Sequence, residues 1–543
     1  MSAPSIQNAK MLIVEDQPLA LSYMKQSLEQ LDFRNLKFAE SADSAKELCT
    51  INKFDLIVCS FGLAKKQNGY QFYEELRSKQ LIRSSTAFIF ISSETSPELV
   101  HSIIELQPDD FLVKPFSIKE LQNRIERVLK RKQALRHINL LVDDKNYSKA
   151  LKALDLELDN KDHNYTSLLL KLKGELLLRL NQLEEAKSFY KSVLALQKFT
   201  WAKLGLVETL ITNNEDVIAQ KMLKTLIERP ETRLPALDLL SKLEIKLNQY
   251  ENAQQLLEQA IEMAPRNINR QQSLGRVAQI NHDYEASYKA HKDIASFARY
   301  SIHDKPEVYL NAARAGIDFA LSTDQSDQVT RLTRQTQQYL SDLKQQFPNA
   351  QTQAQIDVLN ARVHYLKDEH KKAKQLLEQL EDEPVIRSVD STLDKAKALH
   401  EVGLNHKAQE LFSQVIAHCE RHNSSADPVT MHYLYQQQQE KKEITMGPRE
   451  LNNHAVTQFN KGHYETALEA FTQAFRIMPK NSGIALNLLQ CMSDSCAKSG
   501  STFNSNLAKR CTTLLNQSEL DSEQQIRFGK LKAKLSEMKL DFE

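Results

Sequence analysis

Residues 11–16 read MLIVED, a short apolar run that stops at two carboxylates. A helical pattern follows, with Leu19, Met24 and Leu28 among its apolar positions. Further apolar runs come at 36–39, 56–59, 88–91 and 111–113, and helical patterns fill the gaps at 44–50, 70–79, 97–106 and 118–130. Short strands that are apolar on both faces and alternate with helices predict an α/β fold, a parallel doubly wound sheet. In such sheets the reactive site lies beyond the carboxyl ends of the strands. Glu15, Asp16, Ser60, Ser92 and Lys114 all fall at those ends.

The residues at those ends carry a resemblance. Residues 9–131 resemble the receiver domain of two-component response regulators, a flavodoxin-like domain. The acidic pair after strand one is Glu15 and Asp16 in IVEDQ; the Ser or Thr after strand four is Ser92 in FIFISSE; the Lys before Pro after strand five is Lys114 in DDFLVKPF. Phe111, three residues before that lysine, stands where the family often has an aromatic switch residue. The resemblance implies a phosphoacceptor aspartate closing strand three, and here DLIVCSFGL puts Ser60 there. A carboxylate held near a divalent cation attacks an incoming phosphoryl group; a hydroxyl is un-ionised at neutral pH and is a weaker cation ligand. Asp55 cannot replace it, because it starts the same strand, about 16 Å away along an extended chain. The expectation is a pseudo-receiver whose phosphorelay chemistry is lost. Lys114 is expected to pair with Glu15 or Asp16, and a weak Mg2+ site at Glu15 and Asp16 is the most this pocket offers; no other metal or cofactor is expected.

From about residue 132 the strand signal stops, and the chain repeats itself with a period near 34. LSKLEIKLNQYENAQQLLEQAIEMAP (240–265) and NHAVTQFNKGHYETALEAFTQAFRIMP (453–479) share one pattern. In the first it is Tyr250, Ala253, Leu257, Ala260 and Pro265; in the second it is Tyr464, Ala467, Phe471, Ala474 and Pro479. The small residues let helices approach, the large one fills the groove beside them, and the proline stops the helix. The pattern resembles the tetratricopeptide repeat. Weaker copies are marked by Gly174, Ala186 and Tyr190; by Trp201, Gly205 and Pro230; and by Gly275, Tyr284 and Ser287. Ala150, Ala373 and Ala408 mark three more. Residues 306–348 read as a longer helical hairpin, 430–449 as a polar helix leading to a break, and 481–543 as capping helices. The predicted architecture is a receiver-like domain at 1–131 followed by an all-α solenoid at 132–543.

The composition agrees. Gly and Pro number 12 and 14 in 543 residues, too few turn formers for an all-β chain of this length. Lys+Arg is 71 against Asp+Glu 70, so no net charge draws the chain to nucleic acid or anionic lipid. The six cysteines form no CxxC pair and read as buried, reduced thiols. The first ten residues hold no secretory signal, and no run of apolar residues is long enough to insert in a membrane, which points to the cytoplasm. No Walker loop, HExxH or other catalytic motif is present, so the chain is not expected to be an enzyme. The resemblance implies a protein-binding adaptor or modulator of two-component signalling, with a histidine kinase or another response regulator among its partners. The alternative is a regulator switched by a modification other than aspartyl phosphate, or by a ligand.

Overall fold

The computed structural model describes residues 6–63, 66–159, 165–323, 325–380, 388–421, 427–499, 502–540 and 542. Residues 1–5, part of the stretch read as lacking a secretory signal, lie outside the described residues. The chain forms two compact units, Met1–Arg270 with Phe297–Asp304 and Gln271–Ser296 with Lys305–Glu543.

The first unit opens with five parallel strands, β1 (Met11–Val14), β2 (Leu36–Ala39), β3 (Leu56–Ser60), β4 (Ala87–Ser92) and β5 (Asp110–Val113), in the order β2-β1-β3-β4-β5. Between and after them run α1 (Pro18–Gln30), α2 (Ala42–Ile51), α3 (Gly69–Ser78), α4 (Pro97–Leu106) and α5 (Ile118–Ala134). Successive residues of a strand face opposite sides, and both sides here are covered. Leu12, Val14, Ile57, Cys59, Phe88 and Phe90 pack under α2, α3 and α4. Met11, Ile13, Leu56, Val58, Ile89 and Ile91 pack under α1 and α5. Local chemistry sets the helix starts. Pro18 and Pro97 occupy first-turn positions, Asn68 and Gln71 cap α3 reciprocally, and the Ser117 side chain accepts the Glu120 N–H.

The rest of the chain is helical, built from paired helices with one recurring turn. In eight hairpins among the described residues the turn places one residue in the left-handed region: Lys145, Asn181, Asn214, Asn248, His282, Asp368, Gly403 and Gly462. Five residues later, in each case, stands a buried small residue: Ala150, Ala186, Ala219, Ala253, Ser287, Ala373, Ala408 and Ala467. The turn thus fixes which face of the second helix meets the first. Leu257, Ala260, Phe471 and Ala474 complete the buried stripe in their repeats, while Pro265 and Pro479 each follow the helix they terminate by two residues. Tyr190 shows how tight the stacking is. It is 2% exposed and wedges between Gly174 and Gly205, where an added Cβ would lie 2.4 and 2.3 Å from its ring atoms or hydroxyl. Trp201 packs beside it, stacked on Phe199 with centroids 5.3 Å apart.

The interior of the second unit is ionic at its centre. Arg362, 1% exposed, donates to Asp318 at 2.7 Å, Asp394 at 2.7 Å and Glu401 at 2.6 Å. Lys397 joins the same cluster through Asp318, 2.8 Å away, and the Tyr433 hydroxyl. Burial opposes ionisation of Asp318, but Lys397 and Arg362 outweigh it and hold its carboxyl well below the usual range. The link after helix Pro428–Glu443 is packed: Ile444 is buried, and its carbonyl accepts from His400 Nε2 at 2.8 Å. Helices Ser482–Ser499, Ser505–Gln517 and Ser522–Glu537 close the array around a core holding Cys491 and Cys511, whose thiols burial pushes up to about 12.

Candidate functional site

The parallel register brings the strand ends together. Val14 closes β1 beside Cys59, Ser60 closes β3 opposite Ile91, and Ser92 closes β4 opposite Val113. Glu15, 3% exposed, is therefore carried into a pocket with Lys114, whose Nζ donates to Glu15 Oε2 at 2.7 Å. The other Glu15 oxygen accepts the Gln17 N–H at 3.3 Å. Ser92 is tied into the same turn: its hydroxyl accepts the Glu94 N–H at 3.0 Å, and its carbonyl accepts the Lys114 N–H at 2.8 Å. Asp16 stands half-buried after Glu15, Ser60 is buried at the end of β3, and Phe111 leans half-buried on the core under α2–α4.

A resident divalent cation needs several oxygen ligands. This pocket offers Asp16, a neutral Ser60 hydroxyl and a Glu15 carboxylate already engaged by Lys114. No group of three His, Cys, Asp or Glu side chains suited to a metal forms among the described residues. That donor set holds fewer carboxylates for such an ion than an acidic pair with an aspartate at position 60 would.

Beside the pocket, the chain's own repeats pack against Phe61, α3 and α4. Gly69 is seated against Ser60, where a Cβ would fall 2.4 Å from the Ser60 carbonyl oxygen, so α3 starts close beside the strand end. Next to Ser60, the buried Phe61 ring faces the Arg266 guanidinium at 5.7 Å, and Arg266 also lies 6.0 Å from the Phe297 ring. On α3, Gln71 Nε2 donates to the carbonyls of Phe297 and Arg299, each at 3.0 Å, and Glu74 meets His303 Nε2 at 2.9 Å. On α4, Glu105 pairs with Arg270, which also grips Asp238 through two bonds of 2.7 Å and donates to the Ala264 carbonyl at 2.9 Å. Burial works against the Arg270 charge, and Asp238 and Glu105 more than offset it, holding the pKa above the ordinary value. Sequence reading finds the strand-end residues but not this contact. Arg266 and Arg270 follow a helix-stopping proline with nothing local to mark partners as distant as Phe61 and Glu105, the latter 165 residues from Arg270.

Among the described residues no helix is long and apolar enough to cross a membrane.

Residues 11–126 match the family model for the response regulator receiver domain, and residues 172–199 and 234–267 match the tetratricopeptide repeat. The transcriptional regulatory protein YvrH of Bacillus subtilis is 31% identical over 126 residues, 23% of this chain and 51% of that protein. The probable chemotaxis protein CheY of Rhizobium etli is 27% identical over 119 residues, 22% of this chain and 91% of that protein. Against transcriptional regulators such as YvrH, then, the chain spans about half the relative's length. The receiver domain of the Francisella response regulator 1452 is 27% identical, covers 23% of this chain and 98% of that one, and has a TM-score of 0.21. Receiver domains and tetratricopeptide repeats are generally non-catalytic. The chain joins a response regulator receiver domain to tetratricopeptide repeats and is related to the response regulators of two-component signalling.

Proposed function

We propose that this protein is a non-enzymatic adaptor that modulates two-component signalling from the cytoplasm. Its receiver domain engages a histidine kinase or another response regulator without taking aspartyl phosphate, and its repeats hold a second protein. The observation that carries this reading is Ser60 at the end of β3, beside a pocket whose lysine is paired with Glu15 at 2.7 Å. An un-ionised hydroxyl without a base is a poor nucleophile, and a lysine already paired is not waiting for a phosphoryl group. The likeness to a chemotaxis protein and a transcriptional regulatory protein supports a signalling role. On α1, Leu19 and Tyr23 are 88% and 43% exposed and offer apolar surface for a partner. Two modest sites on one chain give strong joint binding when both can be engaged together.

The test is mass spectrometry of the full chain after incubation with acetyl phosphate and Mg2+, and separately with an autophosphorylated histidine kinase. No stoichiometric phosphoryl group should appear on any receiver residue. A phosphorylated receiver would favour a switched regulator instead.

A further inference from the structure

Within the second unit, five helices line a polar cavity of about 150 Å³ that has no part in the receiver pocket. Arg276 reaches it from helix Ile268–Ile280, Arg314 from Pro306–Ser322, and Asp390 and Asp394 from Val389–Glu401. Arg314 and Asp394 are 7% and 3% exposed; Arg276 and Asp390 are half-buried. Polar groups buried this deeply are normally hydrogen-bonded. Yet the Arg314 Nε–H has no hydrogen-bond partner among the described residues, and Asp394 Oδ2 stands 3.7 Å from it, beyond hydrogen-bond reach. The Lys397 and Asp318 charges at the same cavity are already matched, to each other and to Arg362. Asp394 Oδ1 also accepts from Arg362 at 2.7 Å, and the Arg314 terminal nitrogens donate to Glu307 at 3.2 Å, Asn311 at 2.6 Å and Gln355 at 3.3 Å. The Arg314 Nε–H and Asp394 Oδ2 are therefore what those two residues turn to a ligand. His291 adds a neutral ring, because burial pushes its pKa down to about 4.

The lining selects its own ligand. A simple anion entering here would meet Asp390 and Asp394 as well as the arginines, and a simple cation would meet the reverse. A ligand carrying both charges satisfies both sets, through charge-assisted hydrogen bonds in a partly desolvated site. Size narrows the choice further. A cavity of this order holds a solute of about six heavy atoms, the size of benzene. That suits the backbone end and a short side chain of an amino acid. We propose that this cavity binds a small zwitterion of α-amino-acid chemistry, its carboxylate held by Arg276 and Arg314 and its ammonium by Asp390 and Asp394. The repeats then carry a small-molecule site in addition to any surface that takes protein.

Calorimetric titration of the full chain with each standard amino acid tests this. At least one should give saturable heat at about 10 mM or below, as a Kd of ~1 mM or tighter requires. Its N-acetyl derivative, which lacks the ammonium, and its amide, which lacks the carboxylate, should each bind at least about tenfold more weakly. Arg276→Gln and Asp390→Asn, both at half-buried positions, should keep the wild-type melting profile and lose affinity by about the same factor. The derivative comparison uses wild-type protein, so it decides the matter even if a variant fails to fold. Absence of saturable binding by every amino acid, equal binding of the blocked derivatives, or unchanged affinity in both folded variants would overturn the proposal.

Discussion

Arg266 sets its guanidinium 5.7 Å from the centre of the Phe61 ring, and Phe61 is the residue directly after Ser60. A side chain of the repeats therefore touches the receiver one residue from the position where the family would carry phosphate. A cation over an aromatic face contributes about 0.5–2 kcal/mol, more when desolvated. Arg266→Ala should leave the sheet folded but loosen α3 and α4. Hydrogen–deuterium exchange should show faster exchange in residues 69–78 and 97–106, with β1, β3 and β4 unchanged. Equal protection in variant and wild type would mean that the contact does not hold the two parts together.

Restoring the missing carboxylate should restore a demand for a cation. Ser60→Asp puts a third acid beside Glu15 and Asp16, and like charges crowded in one pocket oppose each other. The variant should melt below wild type without divalent ions and recover when Mg2+ reaches about 10 mM, as expected of a ligand that binds the native state. Wild type should respond little. A thermal melt across a Mg2+ series reads both, and an equal shift in the two proteins would refute the assignment of Ser60 to the pocket's edge.

The Tyr190 wedge makes a clean packing test. Gly205→Ala forces a methyl group to within 2.3 Å of the ring and should cost about 1–3 kcal/mol by overpacking. A smaller side chain at the wedge removes the clash, so Tyr190→Leu should lessen the added cost of Gly205→Ala. Urea unfolding of both single variants and the double variant would measure this coupling, and strict additivity would place the strain elsewhere.

His400 should make the second unit sensitive to mild acid. The residue is 2% exposed, and burial first, then the Lys441 charge, lowers its pKa from 6.5 to about 4. The folded chain therefore resists a proton that the unfolded chain accepts. Its contribution to stability is complete above pH 6.5 and is lost as pH falls toward 4, by at most about 3 kcal/mol. Urea unfolding at several pH values should show the loss, and His400→Gln should flatten that part of the profile. His291 is lowered similarly, so some slope should remain in the variant.

Much of the receiver was legible because burial on both faces leaves an unmistakable apolar run. β1, β2 and α4 begin and end where the sequence suggests. β3 and β4 run on through Ser60 and Ser92, since backbone pairing with Ile91 and Val113 continues past the last apolar residue and hydropathy does not register it. In the repeats the small and large packing residues stand out, but the left-handed turn residue does not. Asn, Gly, Asp, His and Lys all occupy it, so it is a conformation shared by dissimilar side chains. Arg362 and its carboxylates were hidden for another reason: charges at helical spacing usually mark a solvated face. The Arg270–Glu105 pair was beyond reach because it joins segments 165 residues apart.

The constant five-residue step from turn to small residue has a consequence for how such a chain can change length. One residue inserted into that step rotates the following helix by about 100° and aims its packing stripe away from its neighbour. The links between hairpins carry no such phase. Two residues, 228 and 229, join one pair of helices, and seven, 299–305, join another. Insertions and deletions should therefore be rejected within hairpins and tolerated between them, except where a link holds another element, as 299–305 holds α3 through Arg299 and His303. The reading frame of this solenoid is written in its turns, and its drift over time should be confined to its joints.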